Sequence, residues 1–249
     1  MIVYPNAKIN LGLNVLRKRV DGYHDISSIF YPVKEIFDIL EIIPSDSFSF
    51  SSSGATIPNN GNICIRAFDL LKSDFNISPV RISLHKQIPV GAGMGGGSAD
   101  GAFTLMALNQ IFDLNISNKR LEKYALQLGA DCPFFIDNTP KYVTGIGDKM
   151  KVINLDLSNY KIKFVFSGLH ISSSEAYNLI VAKENNVSLL ESINQPIENW
   201  RMNVKNDFEV SAFKQYPELQ KQKKDLYNNG AIYASMTGSG SVLYGIYTN

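Results

Sequence analysis

Positions 89–99 read PVGAGMGGGSA, with five glycines in the seven positions 91–97. Ahead of them Val80, Ile82 and Leu84 alternate with Arg81 and Ser83, a strand pattern, and behind them Ala102, Leu105, Met106, Ile111 and Phe112 recur near the helical period. Such a turn lets several backbone N–H groups converge on an anion, because glycine reaches positive φ without steric cost and leaves no Cβ in the way. The helix expected to open at Ser98 adds unpaired N–H groups and the positive end of its dipole. Pro89, Val90, Gly91, Ala92, Gly93, Met94, Gly95, Gly96, Gly97, Ser98 and Ala99 therefore read as a phosphate cradle.

The string also contains Gly91-x-Gly93-x-x-Gly96, a dinucleotide-binding pattern when a second strand follows and ends in an acidic residue about twenty positions on. Here a helix fills that interval and Asp113 lies at its end, so the pattern fails. No Lys precedes Ser98, so the Walker motif fails as well.

Three further features could carry chemistry. Lys8, in Pro5-Asn6-Ala7-Lys8-Ile9-Asn10, is either a solvated edge charge or a functional cation. Asp131, in Gly129-Ala130-Asp131-Cys132-Pro133-Phe134-Phe135, suits a helix N-cap, with Pro two positions on, yet its apolar and aromatic neighbours demand a partner for a carboxylate. Thr237-Gly238-Ser239-Gly240-Ser241 is a tight turn or a second site loop.

The elements that must position these residues mix strands and helices. Ile9, Leu11, Leu13 and Val15 alternate with Asn10, Gly12 and Asn14, predicting a strand with one apolar face and one polar face carrying Lys8 and Asn10. Strands are predicted over 27–33 and 38–43 after the turn Asp21-Gly22, then helices over 63–75, 99–112 and 118–128, the last stopped by Gly129. Positions 45–53 form a serine-rich loop or edge strand. A strand near 142–146 closes the first half. Beyond Ile153 follow a strand over 161–166, helices over 174–183, 206–214 and 217–228, and a glycine-interrupted hairpin over 231–247. The expected domains are 1–153 and 154–249.

With 249 residues, 24 basic and 23 acidic, the chain can bury a full core and carries a net charge of +1, so no field recruits nucleic acid or an anionic membrane. Cys64 and Cys132, the only two cysteines, suggest reduced thiols and a cytoplasmic protein rather than a disulfide framework or zinc site. No leader is expected, and no apolar run approaches a membrane span.

Taken in order, Ala7-Lys8-Ile9-Asn10-Leu11, Asp21-Gly22-Tyr23-His24, the stretch from Pro89 to Ser98, Gly129 to Phe135, Asn206-Asp207-Phe208-Glu209 and Thr237 to Ser241 resemble the motifs of the GHMP kinases over nearly the whole chain. The resemblance implies an α+β fold of two domains, the first with a left-handed βαβ crossover and the second a ferredoxin-like α/β domain. It implies ATP and Mg2+. Asp-Gly-Tyr-His shortly after Ala-Lys-Ile-Asn resembles the branch acting on 4-diphosphocytidyl-2-C-methyl-D-erythritol, at its 2-hydroxyl, in the non-mevalonate isoprenoid pathway. By the family pattern Asp131 takes the hydroxyl proton, while Lys8 orients the hydroxyl and offsets charge on the moving phosphoryl group. Ser98 would stand near Mg2+, and Asn62 and Lys86 match positions that contact the adenosine. Tyr23 and Tyr177 match an aromatic pair that sandwiches cytosine, His24 the residue reading its edge, and Asn10, Ser173, Gly238, Ser239 and Gly240 line the same substrate pocket. The bland alternatives are core tyrosines and a histidine that closes a turn.

Two departures stand out: Ala99 where the family shows a second serine, and Gly101 where it shows an alanine, which weakens the helix start. The chain ends soon after Ser241, so a trimmed second domain is expected. Competing readings are another kinase of the family, acting on mevalonate, a plain polyol or homoserine, and a non-catalytic metabolite sensor. Asp21-Gly22-Tyr23-His24 argues against the first, and the joint presence of Lys8 and Asp131 against the second. A monomer or weak homodimer is expected.

Overall fold

Alternating apolar residues from Ile9 to Val15 make the strand the sequence predicts, but both of its faces are covered: every residue from Asn6 to Val15 is buried. The polar face meets other protein groups, and Lys8, Asn10 and Asn14 find polar partners inside. The structure is a computed structural model describing residues 1–57, 61–183 and 187–249.

In chain order the elements are β1 (Ile2–Val3), β2 (Asn6–Lys18), β3 (His24–Phe37), β4 (Ile39–Pro44), β5 (Ser49–Gly54), α1 (Ile63–Phe75), β6 (Val80–Lys86), α2 (Gly96–Ile111), α3 (Asn118–Leu128), α4 (Phe134–Asp137), β7 (Lys141–Gly145), β8 (Lys149–Val152), β9 (Tyr160–Val165), α5 (Ser173–Leu179), α6 (Leu189–Ile193), α7 (Trp200–Asn203), α8 (Phe208–Gln215), α9 (Pro217–Asn228), β10 (Tyr233–Met236) and β11 (Leu243–Thr248). The serine-rich stretch is an edge strand, β5, parallel to β6 with α1 as the crossover. The helix expected to open at Ser98 starts two residues earlier, at Gly96, because Gly95 takes the left-handed conformation at its N-cap (φ 71°). The helix predicted over 174–183 ends at Leu179. Helices α6 and α7 were not predicted; at five and four residues they are too short to show a period.

Two compact units emerge, and they interleave in sequence: Met1–Lys8, Pro32–Val90 and Gly95–Thr139 form one, and Ile9–Tyr31, Gly91–Met94 and Pro140–Asn249 the other. They do not follow the single division expected near residue 153, since 9–31, 91–94 and 140–153 pack in the second unit. The cause is strand pairing: β2, β3, β7 and β8 share one sheet.

In the first unit, Leu40, Ile42, Val80, Ile82 and Leu84 of β4 and β6 bury one sheet face, and Phe68, Leu71, Leu105, Leu108 and Leu121 of α1, α2 and α3 are buried with them. Asn62 caps α1 by accepting the Cys64 N–H at 2.9 Å. In the second unit, Leu13, Val15, Ile26, Phe208, Leu219, Leu226, Met236 and Leu243 belong to one buried cluster beside the sheet β10-β11-β9.

Candidate active site

Within the first unit, Lys8 lies on β2 with 3% of its surface exposed, and its Nζ stands 3.6 Å from Asp131 Oδ2. It is no solvated edge charge. Burial lowers the Lys8 ammonium below the usual lysine value of 10.5, and the Asp131 carboxylate partly offsets this. Asp131 sits in the turn between α3 and α4. Its carboxylate does not cap α4, whose N-cap is Pro133 with no side-chain cap; instead the Asp131 carbonyl accepts the Phe134 N–H at 3.2 Å. The carboxylate side chain is one-third exposed, so the pair joins a buried cation to an accessible base.

The last part of the glycine turn, from Gly95, meets this pair in the same unit. A Cβ on Gly95 would lie 3.0 Å from Lys8 Cγ and 3.1 Å from Phe135 Cζ, so the absent side chain is what lets the turn rest on the lysine stem. The first intrahelical bond of α2 runs from Ala99 N–H to Gly95 O at 2.9 Å, leaving the N–H groups of Gly96, Gly97 and Ser98 ahead of the helical ladder. Ser98 is hydrogen-bonded to the Cys132 thiol, next to Asp131, and burial pushes that thiol up to about 12. Backbone donors ahead of the ladder and the positive end of the α2 dipole thus lie at a turn that rests on the Lys8 stem, a chemistry suited to an anion such as phosphate.

Among the described residues no group of three or more His, Cys, Asp and Glu could hold a metal. Ser98 and Asp131 are the oxygen donors at the turn, a set that suits a cation such as Mg2+ retaining phosphate and water ligands, and not a caged one. Lys86, matched to an adenosine contact, has its ammonium buried against Asp38 and Asp100. Asn62 is half-buried at the start of α1.

In the second unit the two glycine motifs pack backbone to backbone. A Cβ on Gly93 (φ 74°) would lie 2.2 Å from Thr237 O, and the Thr237 hydroxyl donates to Gly93 O at 3.1 Å. Asn10 Oδ1 accepts the Gly238 N–H at 3.0 Å while its Nδ2 donates to Ser28 Oγ at 2.8 Å. Thr237 to Ser241 is thus more than a hairpin turn: it is anchored to β2 and to the segment Gly91–Met94.

Sequence reasoning treated Asn206 only as part of a motif. It is buried; its Nδ2 donates to Met236 O and Gly238 O, both at 2.8 Å, and its Oδ1 accepts the Phe208 N–H at 3.0 Å. Asn206→Ala leaves these groups without partners and is expected to cost about 2–4 kcal/mol of unfolding free energy, at ~1 kcal/mol or more per buried bond lost, as measured by urea denaturation. A loss below about 0.5 kcal/mol would contradict this role.

The predicted aromatic residues lie here too. The His24 ring stacks on Tyr177, centroids 5.1 Å apart and planes 23° apart, and Tyr177 meets Phe208 edge-on at 4.9 Å. Tyr23 is 62% exposed at the adjoining turn, so the ring against Tyr177 is His24 and not Tyr23. Burial, helped by Lys18, lowers the His24 pKa below 6.5, which keeps the imidazole neutral at pH 7 with one donor and one acceptor. Ser173 Oγ lies 3.0 Å from Ser239 Oγ.

The family model for the GHMP kinases N terminal domain matches residues 62–138, and that for the GHMP kinases C terminal matches 183–249. The chain belongs to the GHMP kinase family, whose members are small-molecule kinases with ATP as phosphate donor. It is 47% identical over 250 residues to the 4-diphosphocytidyl-2-C-methyl-D-erythritol kinase of Azobacteroides pseudotrichonymphae genomovar. CFP2, covering 99% of this chain and 93% of that one. To the protein of that name from Parabacteroides distasonis it is 45% identical, covering 99% and 92%. The crystal structure of a 4-(cytidine 5'-diphospho)-2C-methyl-D-erythritol kinase superposes with a TM-score of 0.83 at 31% identity, covering 99% and 90%.

Proposed function

We propose that the chain transfers the γ-phosphoryl group of ATP to the 2-hydroxyl of 4-diphosphocytidyl-2-C-methyl-D-erythritol, in the non-mevalonate route to isoprenoid precursors. The observation that carries the chemistry is the Lys8–Asp131 pair set against the glycine turn. Full-length likeness to kinases of that name supports the substrate.

A tertiary hydroxyl is a poor nucleophile and needs both a base and close positioning. Asp131 Oδ2 accepts the hydroxyl proton as the new O–P bond forms and the bond from the γ-phosphorus to the bridging oxygen breaks, releasing ADP. Lys8 orients the hydroxyl and offsets charge on the transferring group. The N–H groups of Gly96, Gly97 and Ser98, with Pro89 to Gly95 and Ala99 shaping the turn, hold the phosphates, and Ser98 would hold Mg2+. When bound, Mg2+ neutralises phosphate charge. Asn62 flanks the adenosine. Lys86 serves it from behind the turn, since its ammonium is taken by carboxylates.

On the acceptor side Tyr23 and Tyr177 stack on cytosine, which requires the His24–Tyr177 stack to open so that the neutral His24 ring meets the base edge. Asn10 acts by fixing the Gly238 N–H, and Ser173, Ser239 and Gly240 border the same place. We also propose a cytoplasmic monomer or weak homodimer, its two cysteines being buried free thiols.

The test is kcat/KM for methylerythritol carrying cytidine diphosphate, uridine diphosphate or no nucleotide. Base stacking is worth ~1–3 kcal/mol, so Tyr177→Ala should raise KM for the cytidylated substrate by roughly 5- to 150-fold with ATP parameters steady. His24→Ala should narrow the preference for cytidine over uridine, because an edge-reading site rejects analogues by leaving its own polar groups unpaired. Equal wild-type values for all three acceptors would overturn the assignment and favour a polyol or homoserine kinase.

A further inference from the structure

Behind the phosphate turn lies a charged group whose two carboxylates, Asp38 and Asp100, the reaction above does not use. Lys86, the last residue of β6, is buried, and its Nζ donates to Asp38 Oδ2 and, at 2.9 Å, to Asp100 Oδ2. Asp38 stands between β3 and β4 and Asp100 on α2, with 0% and 2% of their surfaces exposed. Buried charges persist only when paired, and here two carboxylates face one ammonium. Asp100 carries the mismatch: its Oδ1 has no hydrogen-bond partner among the described residues.

The same three residues touch both ends of the turn. Asp38 Oδ1 accepts the Gln87 N–H at 2.6 Å and the Ile88 N–H at 2.9 Å, the two residues leading to Pro89. A Cβ on Gly96 would lie 2.8 Å from Lys86 Nζ, so the ammonium sits directly under the first residue of α2. We propose that Asp38 and Asp100 are positioning residues for the nucleotide-phosphate turn, locking the exit of β6 to the start of α2 through Lys86.

Asp100 faces Lys86 from β6, Asp38 from the β3–β4 junction and the Cys64 thiol from α1, while Thr104 on its own helix donates to its backbone oxygen at 2.7 Å. Burial pushes the Asp100 carboxyl up in spite of Lys86, so the contact with the ammonium is what holds this side chain in place.

The inference rests on the turn being the nucleotide site, and the experiment separates the two. ATP binding by titration calorimetry, with kcat and both KM values, is measured on the full chain. Asp38→Asn should weaken ATP by about 10-fold or more, with acceptor KM and kcat at saturating ATP within about 2-fold. Asp100→Ala, which removes the Lys86 contact on the α2 side, should weaken ATP by about 5-fold or more with the same split between the two substrates. If Asp38→Asn does not fold, Asp100→Ala decides. Wild-type ATP affinity in Asp100→Ala overturns the inference, as does an Asp38→Asn defect spread equally over both substrates. Wild type that fails to bind ATP overturns the nucleotide reading itself.

Discussion

Asp131→Asn is expected to cut turnover by roughly 10²–10⁴-fold, the usual contribution of a general base, while leaving folding and ATP binding close to wild type. The carboxamide keeps the shape of the side chain but cannot take a proton, and Asp131 makes no helix cap whose loss would cloud the result. Lys8→Ala is expected to be severe as well, since it removes a buried cation beside the base and the apolar stem against which Gly95 packs. The double variant should fall far short of the product of the two losses, because the two residues act as one unit on the same transfer. Asp131→Asn activity within about 2-fold of wild type would end the base assignment.

The pH profile carries an independent signature. Because burial lowers the Lys8 pKa from 10.5, the proton leaves at a lower pH than from an ordinary lysine, and kcat should decline on the alkaline side as pH rises through that lowered value. Lys8→Arg keeps its charge at all accessible pH, so whatever activity it retains should lack this alkaline limb. An unchanged limb in Lys8→Arg would assign it to another group.

Gly96→Val is expected to abolish measurable ATP binding. Its φ is not in the left-handed region; the constraint is space, since its Cβ would lie 2.8 Å from both Ile88 Cγ2 and Lys86 Nζ, and that lysine is held by two carboxylates. Valine adds two further methyl groups there and forces the start of α2 away from β6. Gly97→Ala makes the companion experiment. Beyond its own turn of helix, no atom of the described residues lies within 4 Å of the added Cβ, so its melting temperature should match wild type, and any loss of ATP affinity reports crowding of the nucleotide itself. The readout is the ATP-induced shift in melting temperature; a wild-type shift in Gly96→Val would remove the turn from the nucleotide site.

Local signals in the sequence determined most of the elements. The helical period around α1 and α3, with Gly129 as a stop, located them at Ile63–Phe75 and Asn118–Leu128, and the glycine run marked the sharp turn between β6 and α2, because such signals act over a few residues and need no partner. What only the tertiary structure decided is long-range. Alternation on β2 predicted a polar face carrying Lys8 and Asn10 but not its partners; both are buried, one beside a carboxylate 123 positions away and the other against a turn 228 positions away. Asp38 and Asp100 show nothing in sequence beyond ordinary charged residues, and Lys86 shows no sign there of pairing with them. Their meaning comes from burial together, and burial is a property of which surfaces the fold brings into contact. The interleaving of the two units has the same origin: strand pairing is blind to distance along the chain, whereas composition and periodicity are read only along it.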